Sequence, residues 1–221
     1  MRVYHYLPAE WGLDDIRRRR LKFSKIDDMN DPYEFRCVCS SEELSQAALE
    51  STLREVVQRF GALCFSSSWN NILMWSHYGD RHKGMCLGFD VPDDPGITRP
   101  VEYVGEVQVV GDIVEPSMSV DWTEQGTEIV DRLLGMKYRG WCYEKEIRVN
   151  PRREQMDERT GFYFVDFGEI LKLKEVIAGA RFSMGRRSIE DALSGYSEDV
   201  QIVKAAASKA RFEIVVDDRG F

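Results

Sequence analysis

The apolar residues of this 221-residue chain fall in short runs that never settle into a repeating strand–helix alternation. That pattern constrains the fold more than any single motif does. Val3–Leu7 alternates as a half-buried strand should and stops at Pro8. Residues 9–20 read as a helix, and Leu21-Lys22-Phe23-Ser24 as a second short strand. Met29-Asn30-Asp31-Pro32-Tyr33-Glu34 is turn chemistry, because Asn and Asp ahead of Pro favour a tight reversal. Ser40–Phe60 sets Ser41 ahead of Glu42-Glu43, continues with apolar residues at helical spacing and closes at Gly61. Ala62–Ser66 reads as a buried strand, Asn70–Tyr78 as a short helix, Gly79–Gly84 as a polar turn and Met85–Val91 as another strand.

Farther on, Val101–Val104 and Glu106–Val110 read as strands, followed by a helix over 123–136. Lys137 belongs to a helix end that precedes the strand Ile147-Arg148-Val149. Strands at Glu169–Ala180, Val200–Val203 and Phe212–Val216, with a helix near 187–195, complete the chain. Strands and helices mixed in this way predict an α+β domain with mixed or antiparallel sheets flanked by helices, rather than a doubly wound sheet. No linker or repeat divides residues 1–221, so one domain is expected, with 93–135 either scaffold or a substrate-recognition insertion. The absence of GxGxxG and GxxxxGK[ST] removes the usual dinucleotide-fold and P-loop readings.

Composition narrows the function classes. With 43% hydrophobic and 31% charged residues, a mostly disordered chain is excluded. No apolar run approaches the roughly 20 residues that span a bilayer. The N-terminus turns polar at once and lacks a signal-peptide core, so a cytoplasmic protein without a membrane partner is expected. The net charge of −8 disfavours general nucleic-acid binding. The basic block Arg17–Arg20 is read as the solvated end of a helix, complementing its dipole. Cys64, Cys86 and Cys142 sit in apolar or aromatic stretches as small core residues, and no CxxC pair suggests disulfides or zinc. No metal is expected.

Three segments stand out chemically. Tyr4-His5-Tyr6 lies on the opening strand, backed by Asn30–Glu34. Phe65-Ser66-Ser67-Ser68-Trp69 is followed by Trp75-Ser76-His77-Tyr78. Trp141-Cys142-Tyr143-Glu144-Lys145-Glu146-Ile147-Arg148 is the third. On extended backbone Glu144 and Glu146 share one face, where close carboxylates repel and one can be held protonated for acid–base work. The plainer reading is a solvated edge strand; flanking Trp141 and Tyr143, as pocket walls, favour the functional one. Ser68 reads as a helix N-cap, and His77 and His5 as packing residues unless a site recruits them. A triad of Ser66, His77 and Glu146 would need a nucleophile elbow that the sequence lacks.

The motifs L-x-F-S…N-D-P-Y-E, C-F-S, M-W-S-H-Y-G-D-R-H-K-G-M-C-L-G-F-D and W-C-Y-E-K-E-I-R resemble an uncharacterised bacterial family, a domain of unknown function, over about residues 3–182. Their layout also resembles the ADP-ribosyltransferase fold, with its split-sheet core. That second resemblance implies that His5, with Tyr6 beside it, takes the place of the Arg or His on the first strand. Ser66 and Ser67 match a Ser-Thr-Ser-like motif, with Ser67 replacing the Thr. Glu144-Lys145-Glu146 matches an E-x-E, which makes Glu146 the catalytic carboxylate and Glu144 the residue that orients the acceptor. NAD is then the substrate: His5 anchors the adenosine-side ribose or a phosphate, and Ser66 and Ser67 brace the glutamate or the nicotinamide amide. Trp75 and Tyr78 stack on a ring, with His77 alongside. Arg148 pairs either with the diphosphate or with Glu146. The acceptor, whether protein, nucleic acid or small molecule, is not specified, and a toxin or defence role is what the resemblance suggests. The alternatives are a non-catalytic nucleotide- or partner-binding module and a hydrolase or nuclease that uses His77.

Overall fold

The computed structural model describes residues 1–40, 43–109, 130, 133–197 and 199–221. The strands described run, in chain order, β1 (Arg2–Leu7), β2 (Arg20–Lys25), β3 (Val38–Cys39), β4 (Gly61–Ser66), β5 (Met85–Asp90), β6 (Arg99–Pro100), β7 (Glu102–Val104), β8 (Gln108–Val109), β9 (Met136–Tyr138), β10 (Glu146–Val149), β11 (Met156–Asp157), β12 (Phe162–Asp166), β13 (Lys172–Ala178), β14 (Gln201–Ala207) and β15 (Ile214–Val216). The helices whose bounds are described are α1 (Ala9–Arg18), α2 (Glu43–Arg59), α3 (Ile72–His77) and α4 (Arg186–Ala192), and residues 130 and 133–135 are helical too. Short 3-10 turns cover Ile26–Asp28 and Arg139–Glu144. The architecture is α+β, as the mixed order of elements predicts.

The main sheet runs β11-β12-β2-β4-β1-β5-β13-β14-β15, with β10 also on β4 and β6 on β10. Among the described residues only β13 and β14 pair in parallel there; β3–β8 and β7–β9 form two small parallel pairs outside it. Strand β4 is the pivot. Along one edge it is paired by β10 over Leu63–Ser66. Its other edge holds β2 at Gly61 and Ala62, and β1 at Ser66 alone. Between those two attachments β1 turns away to pair fully with β5, and β2 to pair with β12. The sheet is therefore split on one side of β4.

Alternation along the strands sorts the core into two faces. Val3, Leu7, Leu63, Phe65, Leu87 and Phe89 share one face with Leu13 and Ile16 of α1 and Ile189 of α4. Tyr6, Met74, Trp75, Cys86 and Ile177 pack on the other. β5 is buried on both faces, which is why Met85–Phe89 reads as an unbroken apolar run. Each fully buried Leu or Phe contributes about 1.5–3 kcal/mol. α1 approaches β5 closely because Gly12 has no side chain: a Cβ there would lie 2.2 Å from the Met85 sulfur.

Several expectations are corrected. The first helix stops at Arg18, Arg19 caps it in the left-handed region (φ 53°), and Arg20 already belongs to β2. Arg20 is not solvated: it pairs with Asp157 at 2.8 Å and lies over the Phe164 ring. α3 is capped by Asn71, whose side chain accepts from the Leu73 and Met74 amides, and not by Ser68. Lys137 lies on β9 instead of in a helix end. β12 was not expected at all, because no residue of Phe162–Asp166 is fully buried. Cys142 is exposed, so it is no core residue. Of the helix expected over 123–136, Val130 and residues 133–135 are helical, and most of the remainder lies outside the described residues. Val110, Ser41 and Glu42, and most of the middle of segment 93–135, lie outside them too.

Candidate functional site

The split between β1 and β2 opens a cleft of about 290 Å³. Tyr4, His5 and Tyr6 line it from β1, Lys22 and Ser24 from β2, and Ala62–Ser66 form its floor on β4. Asp28, Met29, Asn30, Met74, Tyr78, Lys137, Glu144 and Glu146 complete its lining, with the Asn30 side chain within hydrogen-bond reach of the Tyr78 hydroxyl. The register brings the three sequence motifs to one level: Tyr4 and Glu146 both sit directly opposite Ser66, from its two sides.

Splitting a sheet leaves backbone groups without ladder partners, and buried ones must be satisfied. The Cys64 carbonyl is bonded by His5 Nδ1 at 2.9 Å. A carbonyl only accepts, so this ring nitrogen carries the proton. Burial pushes the His5 pKa down, against the pull of that carbonyl, which favours the neutral ring.

Glu144 and Glu146 do not share a strand face. Glu144 ends the 3-10 turn, Lys145 is left-handed (φ 46°), and Glu146 opens β10. The turn is held by its neighbours: Ser66 Oγ donates to the Glu144 carbonyl (2.6 Å), the Ser67 amide to the Lys145 carbonyl (3.0 Å), and Asn71 Nδ2 to the Tyr143 carbonyl (2.8 Å). The Glu146 amide donates to the Tyr103 hydroxyl at 2.8 Å. The serine strand thus braces the glutamates through their backbone.

The side chains of both glutamates enter a buried ion cluster. Lys137 Nζ lies 2.6 Å from Glu144 Oε2, 2.8 Å from Glu146 Oε2 and 3.5 Å from Glu34 Oε2. Arg148 donates from Nε to Glu146 Oε1 (2.6 Å), from Nη2 to Glu146 Oε2 (3.2 Å) and to Glu34 Oε1, and from Nη1 to the Leu134 carbonyl (2.7 Å). Tyr78 donates its hydroxyl to Glu144 Oε1 at 2.6 Å. All five charged side chains are at most 5% exposed. Three carboxylates against two cations leave a formal charge of −1 inside the protein.

These partners push the two glutamates apart. Burial raises the Glu146 carboxyl, but the Arg148 charge and hydrogen bonds, with Lys137, outweigh it and hold the pKa at about 2. At Glu144 burial wins against Lys137 and Tyr78, and the pKa is raised. Glu34 is raised too, by burial, against Arg148 and Lys137. Glu146 is therefore the fixed anion, while burial favours the neutral form of Glu144 and Glu34, of which Glu144 lines the cleft. Glu146 has about four lone-pair sites and receives three hydrogen bonds from Lys137 and Arg148 and a further one from the Cys64 thiol.

The expected residues divide in two. His5, Tyr6, Ser66, Tyr78, Glu144 and Glu146 all line the cleft. Tyr6 also donates its hydroxyl to the Ser68 carbonyl at 2.9 Å. Trp75 does not offer a stacking face to a ligand: it is 0% exposed, and its indole N–H donates to the Trp69 carbonyl at 2.7 Å. Its apolar surface is core, with the Tyr6 and His82 rings against it. His77 and Ser67 are exposed and do not line the cleft. His77 lies against Tyr78 and Tyr143, and Ser66 gives its hydroxyl to Glu144, so the Ser66–His77–Glu146 triad is not assembled. Arg148 is 1% exposed and committed to Glu146 and Glu34, which leaves the structural alternative of the two considered for it. Trp141 and Tyr143 stand outside the cleft lining, with Trp141 beneath Lys137 Nζ. Reasoning from sequence missed Lys137 and Tyr103, and gave Glu34 no role of its own within the Asn30–Glu34 segment that it singled out. The signal available for Lys137 was a cation between Met136 and Tyr138, three residues after Leu134.

No curated protein and no solved structure matches this chain. One family model does, from Met74 to Val149, a stretch that supplies α3, β5, β9 and β10 and with them Tyr78, Lys137, Glu144, Glu146 and Arg148. Over residues 74–149 the chain matches the family described as a protein of unknown function (DUF2971), in keeping with the uncharacterised family that its motifs resemble.

Proposed function

We propose that the cleft binds NAD and that the protein is an ADP-ribosyltransferase-like enzyme. The observation that carries this reading is the register of the three motifs: β1, β4 and β10 lie side by side, with Tyr4 and Glu146 both opposite Ser66 at the mouth of the split. Cleavage breaks the bond between ribose C1′ and the nicotinamide nitrogen, and the electron pair leaves with nicotinamide. The ribosyl cation that develops is related to the one in glycoside cleavage, and a nearby fixed anion stabilises it. Glu146, held ionised, has the charge for that role. Glu144, with its raised pKa, suits the proton lost by the acceptor as its bond to C1′ forms. A cleft of about 290 Å³ takes one end of a dinucleotide, so the adenosine half extends beyond it.

A second reading has its own support. Arg148 and Lys137 neutralise Glu146 so fully that a binding module without turnover also fits. Calorimetric titration with NAD, paired with an assay of nicotinamide release, separates the two. The transferase reading expects binding and release, with release falling roughly 100-fold or more in Glu144→Gln and Glu146→Gln while the folded state persists. Binding without release, with and without candidate acceptors, favours the module; no binding at millimolar NAD removes both.

A further inference from the structure

We infer that Lys137 is the positioning residue of this site: its ammonium spaces Glu144 and Glu146, joins both to Glu34 of the NDPYE motif, and so assigns the two glutamates different tasks. The inference rests on the proposed reading of the cleft only for what those tasks are. Its physical basis is the backbone. A left-handed Lys145 between the two glutamates denies them the common face that an extended E-x-E would have. What brings the carboxylates together is a cation delivered from elsewhere. β9 pairs with β7 in parallel, with Lys137 opposite Tyr103. That two-stranded unit therefore grips Glu146 twice, by its amide through Tyr103 and by its carboxylate through Lys137.

The titratable groups around this centre come from several elements, Tyr103 of β7 and the Cys37 thiol among them. Glu34, Glu144 and Glu146 surround the ammonium at 2.6–3.5 Å, and Trp141 underlies it at 5.3 Å. Arg148 lies behind Glu146, Tyr78 on Glu144, and Cys64 beside Glu146. Burial alone would lower the Lys137 pKa, but the three carboxylates raise it, so it stays charged throughout the working range. Glu34 Oε2 has no hydrogen bond; Lys137 faces it in the ion pair at 3.5 Å, while Arg148 bonds the other oxygen of the same carboxylate. Removing Lys137 would leave three carboxylates facing one arginine. The proton then needed would go to Glu144, whose remaining partner in the cluster is the neutral Tyr78 hydroxyl.

The test compares the full-length chain with Lys137→Met, Lys137→Arg, Glu144→Gln and the Lys137→Met/Glu144→Gln double variant. Carboxyl titrations are followed by NMR with glutamate-labelled protein from about pH 2 to about pH 9. The wild-type chain should show raised titrations for Glu144 and Glu34, of which the Glu144 one disappears in Glu144→Gln. Lys137→Met should move the Glu144 titration up by roughly one to three pH units, the size expected for losing an adjacent opposite charge, and Lys137→Arg should restore most of it. If Lys137→Met does not fold, the double variant decides, since it keeps the wild-type formal charge of −1 in the cluster. There the low titration of Glu146 should rise relative to Glu144→Gln alone. A titration unmoved by loss of Lys137 in the variant that folds overturns the inference. The acid limb of nicotinamide release should shift with the Glu144 titration. Shifted titrations in a chain that never cleaves NAD would leave Lys137 as the organiser of the cluster and reject the transferase reading alone.

Discussion

At the scale of single residues the cleft shows how little a motif says about its own electrostatics. Glu144 and Glu146 were visible as a pair, and His5 and Ser66 as companions, because acidic and hydroxyl residues beside aromatic ones are legible in one dimension. The charge on each glutamate was not, since it depends on Lys137, seven residues before Glu144 along the chain, and on Glu34, 114 residues from Arg148. Trp75 shows the converse: an aromatic beside a histidine reads as a ligand platform until its N–H finds a carbonyl inside the core. The opposite pKa shifts give a signed prediction. Glu146 is depressed to about 2, so its contribution to stability is complete above the ordinary carboxylate range and fades as pH falls toward 2. Glu144 is raised, so its ionisation weakens the fold as pH rises through its folded-state value. Urea unfolding at neutral pH should find Glu146→Gln less stable by about 3–5 kcal/mol and Glu144→Gln within about 1 kcal/mol of wild type. The Glu146→Gln deficit should shrink on acidification below about pH 4. Equal costs for the two variants would contradict the assignment of fixed anion and exchangeable carboxyl.

Among the elements, strands with apolar runs were legible and strands made by pairing were not. β4 and β5 were plain from Ala62–Ser66 and Met85–Val91, because burial on both faces demands apolar residues throughout. β12 escaped notice because its aromatics are only half-covered, Phe162 by Lys22 and Phe164 by Arg20. The end of α1 was misplaced because arginine suits a helix, and nothing in Arg17–Arg20 signals a stop; the chain turns there through a strained left-handed Arg19 instead of a glycine. α3 is too short to stand alone, and its cap has a second duty. Asn71 closes the helix with its Oδ1 and holds the Tyr143 carbonyl with its Nδ2, tying α3 to the Glu144 turn. Asn71→Ala should cost roughly 1–2 kcal/mol in urea unfolding, and Asn71→Asp, which keeps the cap and loses the donor, should fall between it and wild type. If Asn71→Asp matched wild type in both stability and nicotinamide release, the tie to the turn would have no energetic weight.

For the whole molecule, the split of the sheet decides where anything can bind. The Gly61 and Ser67 amides donate to Pro151 and Lys145 on the β10 side, so odd-numbered residues of β4 face β10 and the Cys64 peptide faces the cleft. Its carbonyl is capped by the His5 ring, a side chain standing where a strand would be. Amide exchange followed by NMR should therefore find Cys64 exchanging faster than Leu63 and Phe65, and NAD should slow it. Equal protection of all three without ligand would mean that the gap is closed in solution. The wider consequence is mechanical. On the open side of β4 the leaf carrying β2 and β12 and the leaf carrying β1 and β5 are stitched to the same strand at two points, with one missing rung between them. A molecule that supplies that rung closes the seam, so its affinity and the stiffness that it lends the two leaves are one free energy measured from two ends.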